Sequence, residues 1–156
     1  MLQAGDRAPD FELPDQKGEP VKLSDLKGQT VVLFFYPRAD TPGCTTQACG
    51  IRDRSDEYAK ARARVIGVSP DSVEDVKKFA DKYELDFTLL ADADHAVAEA
   101  FGTWVEKSMY GKKYWGVQRA TFVIDGGGTI AKVFPKVSPK THDDVVLDAL
   151  AELTLV

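Results

Sequence analysis

The sequence predicts an α/β fold in which a central mixed β-sheet is covered by helices on both faces. In the first half of the chain, apolar strand patterns alternate with amphipathic helix patterns, and a hairpin and a final helix follow. The run TVVLFFY at 30–36 is continuously apolar, which is typical of a central strand buried on both faces. Because no repeat, low-complexity segment or charge block occurs, residues 1–156 are predicted to form one domain.

Before and after this strand, local signals predict a hairpin and a helix. Pro and Gly turns in FELPDQKGEPVKLSDLKG indicate short strands at the surface. A helix is predicted to begin after Thr41, which is expected to cap it, with Pro42 in the first helical position, where a missing N–H costs nothing. Its buried stripe is predicted to comprise Ala48, Ile51, Ser55 and Tyr58.

The rest of the chain continues the alternation. RVIGVS is a predicted strand, and DSVEDVKKFADKY a helix with a capping box between Asp71 and Glu74. FTLLAD is a third strand, and the short helix after it is expected to stop at Gly102. A polar loop with packed aromatics is expected next, then a hairpin formed by ATFVID and TIAKVF, and a last helix after Thr141.

Composition excludes several classes of function. The net charge of −5 argues against nucleic-acid binding, and no apolar run is long enough for a membrane span. The start MLQAGDRAPDF lacks the pattern of a secretory signal, and two cysteines are too few for a secreted disulfide scaffold. A cytoplasmic, thiol-reducing location is therefore expected.

Both cysteines of the chain lie at the junction between the central strand and the next helix. With Thr41 as the cap, Cys44 is the third helical residue, where free backbone N–H groups and the positive end of the helix dipole favour a thiolate. Cys49 follows five residues later, so the two Cα atoms of an intact helix stand about 8.6 Å apart. A disulfide needs about 7 Å or less. Either the cysteines never pair, or the first helical turns unwind to let them.

Other readings of the cysteines are weaker. Two unrelated buried thiols are the ordinary alternative. A structural zinc site needs four ligands, and only the distant His95 and His142 could join the cysteines. Both histidines fall at predicted helix starts, where we expect them on the surface rather than acting as the base of a Cys–His hydrolase.

The segment YPRADTPGCTTQACGIRD closely resembles the active-site segment of the peroxiredoxins, with the pattern P-x-x-x-T-x-x-C. A second cysteine five residues later is similar to the peroxiredoxin Q, or bacterioferritin comigratory protein, subfamily. The resemblance continues in GDRAPDFELPD, VIGVSPDSVEDVKKFADKY, FTLLAD and RATFVID, and so covers nearly the whole chain.

This resemblance implies a thioredoxin-like fold and a thiol-dependent peroxidase. Cys44 matches the peroxidatic cysteine and Cys49 the resolving one, while Pro37, Thr41 and Arg119 match the residues that form the peroxide pocket. The implied cycle runs from thiolate to sulfenic acid to an intramolecular disulfide, which thioredoxin or a similar dithiol protein reduces. It uses a hydroperoxide substrate and neither a metal nor an organic cofactor. A monomer is expected, since both cysteines belong to one chain.

The sequence leaves two rival functions open. A general disulfide oxidoreductase of the same fold would carry C-x-x-C, which is absent from this sequence. A redox-switched holdase or binding module would use helix unwinding to expose an apolar surface, and would suppress client aggregation with little peroxidase turnover.

Overall fold

A computed structural model describes residues 1–154 of the chain. Its strands are β1 (Glu12–Pro14), β2 (Pro20–Lys22), β3 (Thr30–Phe35), β4 (Ala63–Ser69), β5 (Thr88–Ala91), β6 (Trp104–Met109), β7 (Lys112–Val117), β8 (Ala120–Ile124) and β9 (Ile130–Phe134). Its helices are a 3₁₀ helix (Leu23–Leu26), α1 (Pro42–Asp53), α2 (Ser55–Lys60), α3 (Val73–Lys82), α4 (Ala96–Phe101) and α5 (His142–Thr154). None of the helices in this range is long and apolar enough to cross a membrane.

Five strands form the central sheet, in the order β5-β4-β3-β8-β9. β3 runs parallel to β4, which runs parallel to β5, whereas β8 is antiparallel to both β3 and β9. The mixed sheet predicted from the sequence is therefore confirmed. β1 pairs with β2, and β6 with β7, in two separate hairpins.

Alternate side chains of β3 enter two different cores, because successive residues of a strand point to opposite faces. Val32 and Phe34 join a cluster with apolar residues of α1, α2, α3 and α5. Val31, Leu33 and Phe35 join a second cluster, which includes α4 and the 3₁₀ helix. Helices thus cover both faces of the sheet, as the sequence predicts.

Three local predictions were wrong. Residues 104–117, expected as a loop with packed aromatics, form the β6–β7 hairpin, on which Tyr110 and Trp115 are exposed. The predicted stripe from Ala48 to Tyr58 belongs to two helices, because α1 ends at Asp53 and α2 begins at Ser55. The N-cap of α3 is Ser72, whose hydroxyl accepts from the Asp75 N–H, and the Asp71 carboxylate instead accepts from the Ala39 N–H.

Candidate active site

Cys44 lies at the carboxyl end of β3, the end at which α/β sheets place their sites. It is the third residue of α1, and its side chain is 2% exposed. Both Cys44 and Cys49 are free thiols, and Cys49 is half-buried. The structure therefore has the reduced, helical state in which the spacing keeps the two cysteines apart.

Thr41 stands at the N-cap of α1, as predicted, but its side chain does not cap the helix. Its hydroxyl donates to the Arg38 carbonyl at 2.9 Å. The Thr41 carbonyl accepts the first helical bond, from the Thr45 N–H, at 2.8 Å. Because the hydroxyl donor is occupied, its oxygen lone pairs are left to accept a hydrogen bond near Cys44. Pro37 is half-buried in the connection between β3 and α1.

Arg119 reaches the Cys44 sulfur from the neighbouring strand. Antiparallel pairing sets Ala120 of β8 opposite Phe35 of β3, which puts Arg119 beside the start of α1. Its Nη2 donates to the Cys44 Sγ at 3.3 Å. The structure thus brings together two predicted site residues that are 75 positions apart. A guanidinium in this place stabilises a thiolate and the negative charge that develops when it attacks.

A glycine allows the guanidinium this close approach. A Cβ placed on Gly43 would lie 3.1 Å from the Arg119 Nη2 and 3.5 Å from the Pro139 Cγ. A side chain there would require the guanidinium to shift by a few tenths of an ångström, so the Pro-Gly pair before Cys44 leaves room for Arg119 as well as starting the helix.

Gln47 is a site residue that our sequence reasoning missed. It is 1% exposed, and its Oε1 accepts from the Arg119 Nη1 at 2.6 Å. Its Nε2 is buried without a hydrogen-bond partner among the described residues. Gln47 follows Cys44 by three residues, so helical spacing alone places the two on one face. That spacing was the available signal.

Replacing Gln47 by Leu is expected to slow peroxide reduction about fivefold to tenfold. The Arg119 guanidinium would lose the Gln47 Oε1 as an acceptor and keep the Cys44 Sγ. Stopped-flow measurement of the second-order rate constant with hydrogen peroxide tests this. Thr46→Ala, on the exposed face of the same helix, is the matched control and should keep the wild-type rate. A wild-type rate in Gln47→Leu would show that the glutamine does not position Arg119.

The second half of α1 is held by a buried polar cluster, comprising Thr121, His142, Asp143 and Tyr58. The Tyr58 hydroxyl donates to the Asp143 Oδ1 at 2.5 Å, and the His142 ring lies 3.3 Å from that oxygen and 2.9 Å from the Thr121 hydroxyl. Burial, with Asp143 beside it, raises the pKa of the Tyr58 hydroxyl. His142 is fully buried, so the expectation that it lies on the surface was wrong.

The Asp143 carboxylate of this cluster lies directly against α1 at Gly50. A Cβ on Gly50 would lie 2.8 Å from the Asp143 Oδ2, so a larger residue there would displace the Asp143 carboxylate. Arg54, which follows α1, pairs with Asp144 at 2.6 Å. These contacts fix the end of α1 to α5. None of them involves the first turns of α1.

Comparison with known proteins identifies a family that shares the sequence and fold of this chain. Residues 4–133 match the AhpC/TSA family. The chain is 54% identical over 151 residues to Peroxiredoxin Bcp of Escherichia coli, covering 97% of each chain. Among solved structures, Peroxidoxin BcpB from Mycobacterium tuberculosis is 44% identical with a TM-score of 0.87, covering 97% of this chain and 98% of that one. The Xanthomonas campestris bacterioferritin comigratory protein, which is described as having alkyl peroxide reduction activity, is 36% identical with a TM-score of 0.86, covering 91% of this chain and 90% of that one.

Proposed function

Because the chain belongs to the AhpC/TSA family, and within it to the Bcp and peroxiredoxin Q group of thioredoxin-like peroxidases, we propose that Cys44 is its peroxidatic cysteine and Cys49 its resolving cysteine. The observation that carries this proposal is the contact of 3.3 Å between the Arg119 Nη2 and the Cys44 Sγ at the start of α1. Thr41 and Pro37 complete the peroxide pocket.

In the first step, the Cys44 thiolate attacks the terminal oxygen of a hydroperoxide. An S–O bond forms, the O–O bond breaks, and the departing oxygen takes up a proton to leave as water or an alcohol. Sulfur is oxidised to a sulfenic acid while the peroxide is reduced. Arg119 stabilises both the thiolate and the charge on the breaking O–O bond, and the Thr41 hydroxyl oxygen accepts from the hydroperoxide O–H.

In the second step, the first turns of α1 unwind and the Cys49 sulfur attacks the sulfenic acid. An S–S bond forms and water leaves. A thioredoxin or similar dithiol protein then reduces this disulfide by exchange and is itself oxidised. We further propose that the chain works as a monomer in the reducing cytoplasm, since one chain carries both cysteines. The alkyl peroxide activity named for the Xanthomonas relative supports organic hydroperoxides, beside hydrogen peroxide, as substrates.

A non-reducing peptide map after one equivalent of peroxide tests the pairing. The expected product is a Cys44–Cys49 linkage within a single chain, with the protein still at the mass of one chain on a non-reducing gel. A map of the untreated protein, alkylated before digestion, is the control and should show both thiols free. A disulfide between chains, or two unlinked cysteines after complete peroxide consumption, would refute the proposed resolving role of Cys49.

A further inference from the structure

Lys107 of β6 is a half-buried lysine whose side chain lies across the neighbouring strand toward the active site. Its Nζ donates to the Val117 carbonyl at 2.5 Å, at the end of β7. A Cβ on Gly116 would lie 3.5 Å from the Lys107 Cδ, so the lysine stem packs closely against β7 at this glycine. Val117 precedes Arg119 by two residues. The ammonium therefore fixes the backbone from which Arg119 reaches the sulfur.

The charge of this lysine is not balanced by a carboxylate. Among residues 1–154, no Asp or Glu lies within ion-pair distance of its Nζ, whereas the exposed Lys113 on the same hairpin pairs with Glu106 at 3.7 Å. Burial lowers the pKa of Lys107, and the nearby Arg119 guanidinium lowers it further, while Cys44 acts in the opposite direction. A desolvated cation beside a second cation is costly unless an anion shares the site. The Cys44 thiolate is the anion that would offset this cost.

We propose that Lys107 is a positioning residue of the peroxidase site, which holds the Arg119 segment through the Val117 carbonyl and adds a second positive charge that favours the Cys44 thiolate. This inference rests on the proposed role of Cys44. The ionisable groups that act electrostatically on Lys107 are Arg119 of the β7–β8 connection and Cys44 of α1, and Tyr114 is its register partner on β7. Neither a carboxylate nor a histidine is among them, so the Cys44 thiolate is the negative charge that the Lys107 ammonium stabilises.

The test uses the full chain with Cys49→Ser as parent, so that only Cys44 reacts with iodoacetamide. In this parent, Lys107→Met is expected to lower the alkylation rate at pH 7 about tenfold and to move the pH profile of alkylation about one pH unit higher. Lys107→Gln, which keeps an N–H donor but not the charge, should show the same shift of the profile. Lys107→Arg should stay close to the parent because it keeps both.

The matched control is Lys113→Met, which removes a lysine of the same hairpin and should leave rate and profile unchanged. An unshifted pH profile in Lys107→Met or Lys107→Gln, at any overall rate, would overturn the proposal and leave Lys107 a purely structural role. If Lys107→Met does not fold, the Gln variant carries the test. Failure of the proposed function is distinguishable, because the parent itself would then not consume one equivalent of peroxide.

Discussion

Replacing Cys44 by Ser is expected to abolish peroxide consumption, lowering the rate by more than about a thousandfold. A serine hydroxyl does not ionise near neutral pH, and it is a far weaker nucleophile than a thiolate toward the O–O bond. The substitution should leave the fold intact. The cysteine is 2% exposed, the oxygen is smaller than the sulfur, and it can still accept from the Arg119 Nη2. The measurement is steady-state NADPH oxidation with thioredoxin, thioredoxin reductase and hydrogen peroxide.

The specificity of this result depends on two checks. Thermal unfolding should place Cys44→Ser within a few degrees of the wild type, which separates a chemical loss from a folding defect. The Cys49→Ser variant, in contrast, should still consume one equivalent of peroxide. If Cys44→Ser retained full turnover, another residue would be the nucleophile, and the contact between Arg119 and the sulfur would have no catalytic meaning.

The sequence was most informative where the residues of one element, taken alone, predict that element. β3 is apolar at every position because helices cover both of its faces, and this alone predicts a central strand. The β6–β7 hairpin escaped prediction for the opposite reason. Most of its residues are exposed or half-buried on both faces, so no alternation marks it. Its turn, in which Tyr110 and Gly111 both have positive φ, is a two-residue connection that the Tyr-Gly pair only weakly signals.

The site residues also fall into those that the sequence predicts and those that it does not. Cys44 and Cys49 stand out in one segment, and the resemblance supplied Arg119. The roles of Gln47, Lys107 and His142 depend on contacts between distant elements. Gln47 meets an arginine 72 residues away, and His142 is buried because the first turn of α5 packs against β8 and α2. Such positions follow from the tertiary arrangement, and local propensity carries little information about them.

Replacing Cys49 by Ser is expected to stop thioredoxin-dependent turnover after a single equivalent of peroxide. Cys44 would still become a sulfenic acid, but no second thiol of the chain could attack it. The buried position of Cys44 keeps a protein dithiol from reaching the sulfenic acid directly. Dimedone labelling should then detect a long-lived sulfenic acid in the variant, and excess peroxide should convert it to sulfinic acid, seen as a mass gain. Slow turnover with dithiothreitol would show that the first step is intact.

The disulfide form of the wild-type protein tests where α1 opens. The second half of the helix is held by Ile51 in the core, by Asp143 against Gly50 and by the pair between Arg54 and Asp144. The first half contains Gly43, Thr45 and Thr46, which are poor helix formers. Unwinding should therefore be confined to the residues before Gly50, and hydrogen exchange in the disulfide form should increase there while Ile51 stays protected. Sustained turnover of Cys49→Ser with thioredoxin would contradict this scheme, since resolution would then need no helix opening.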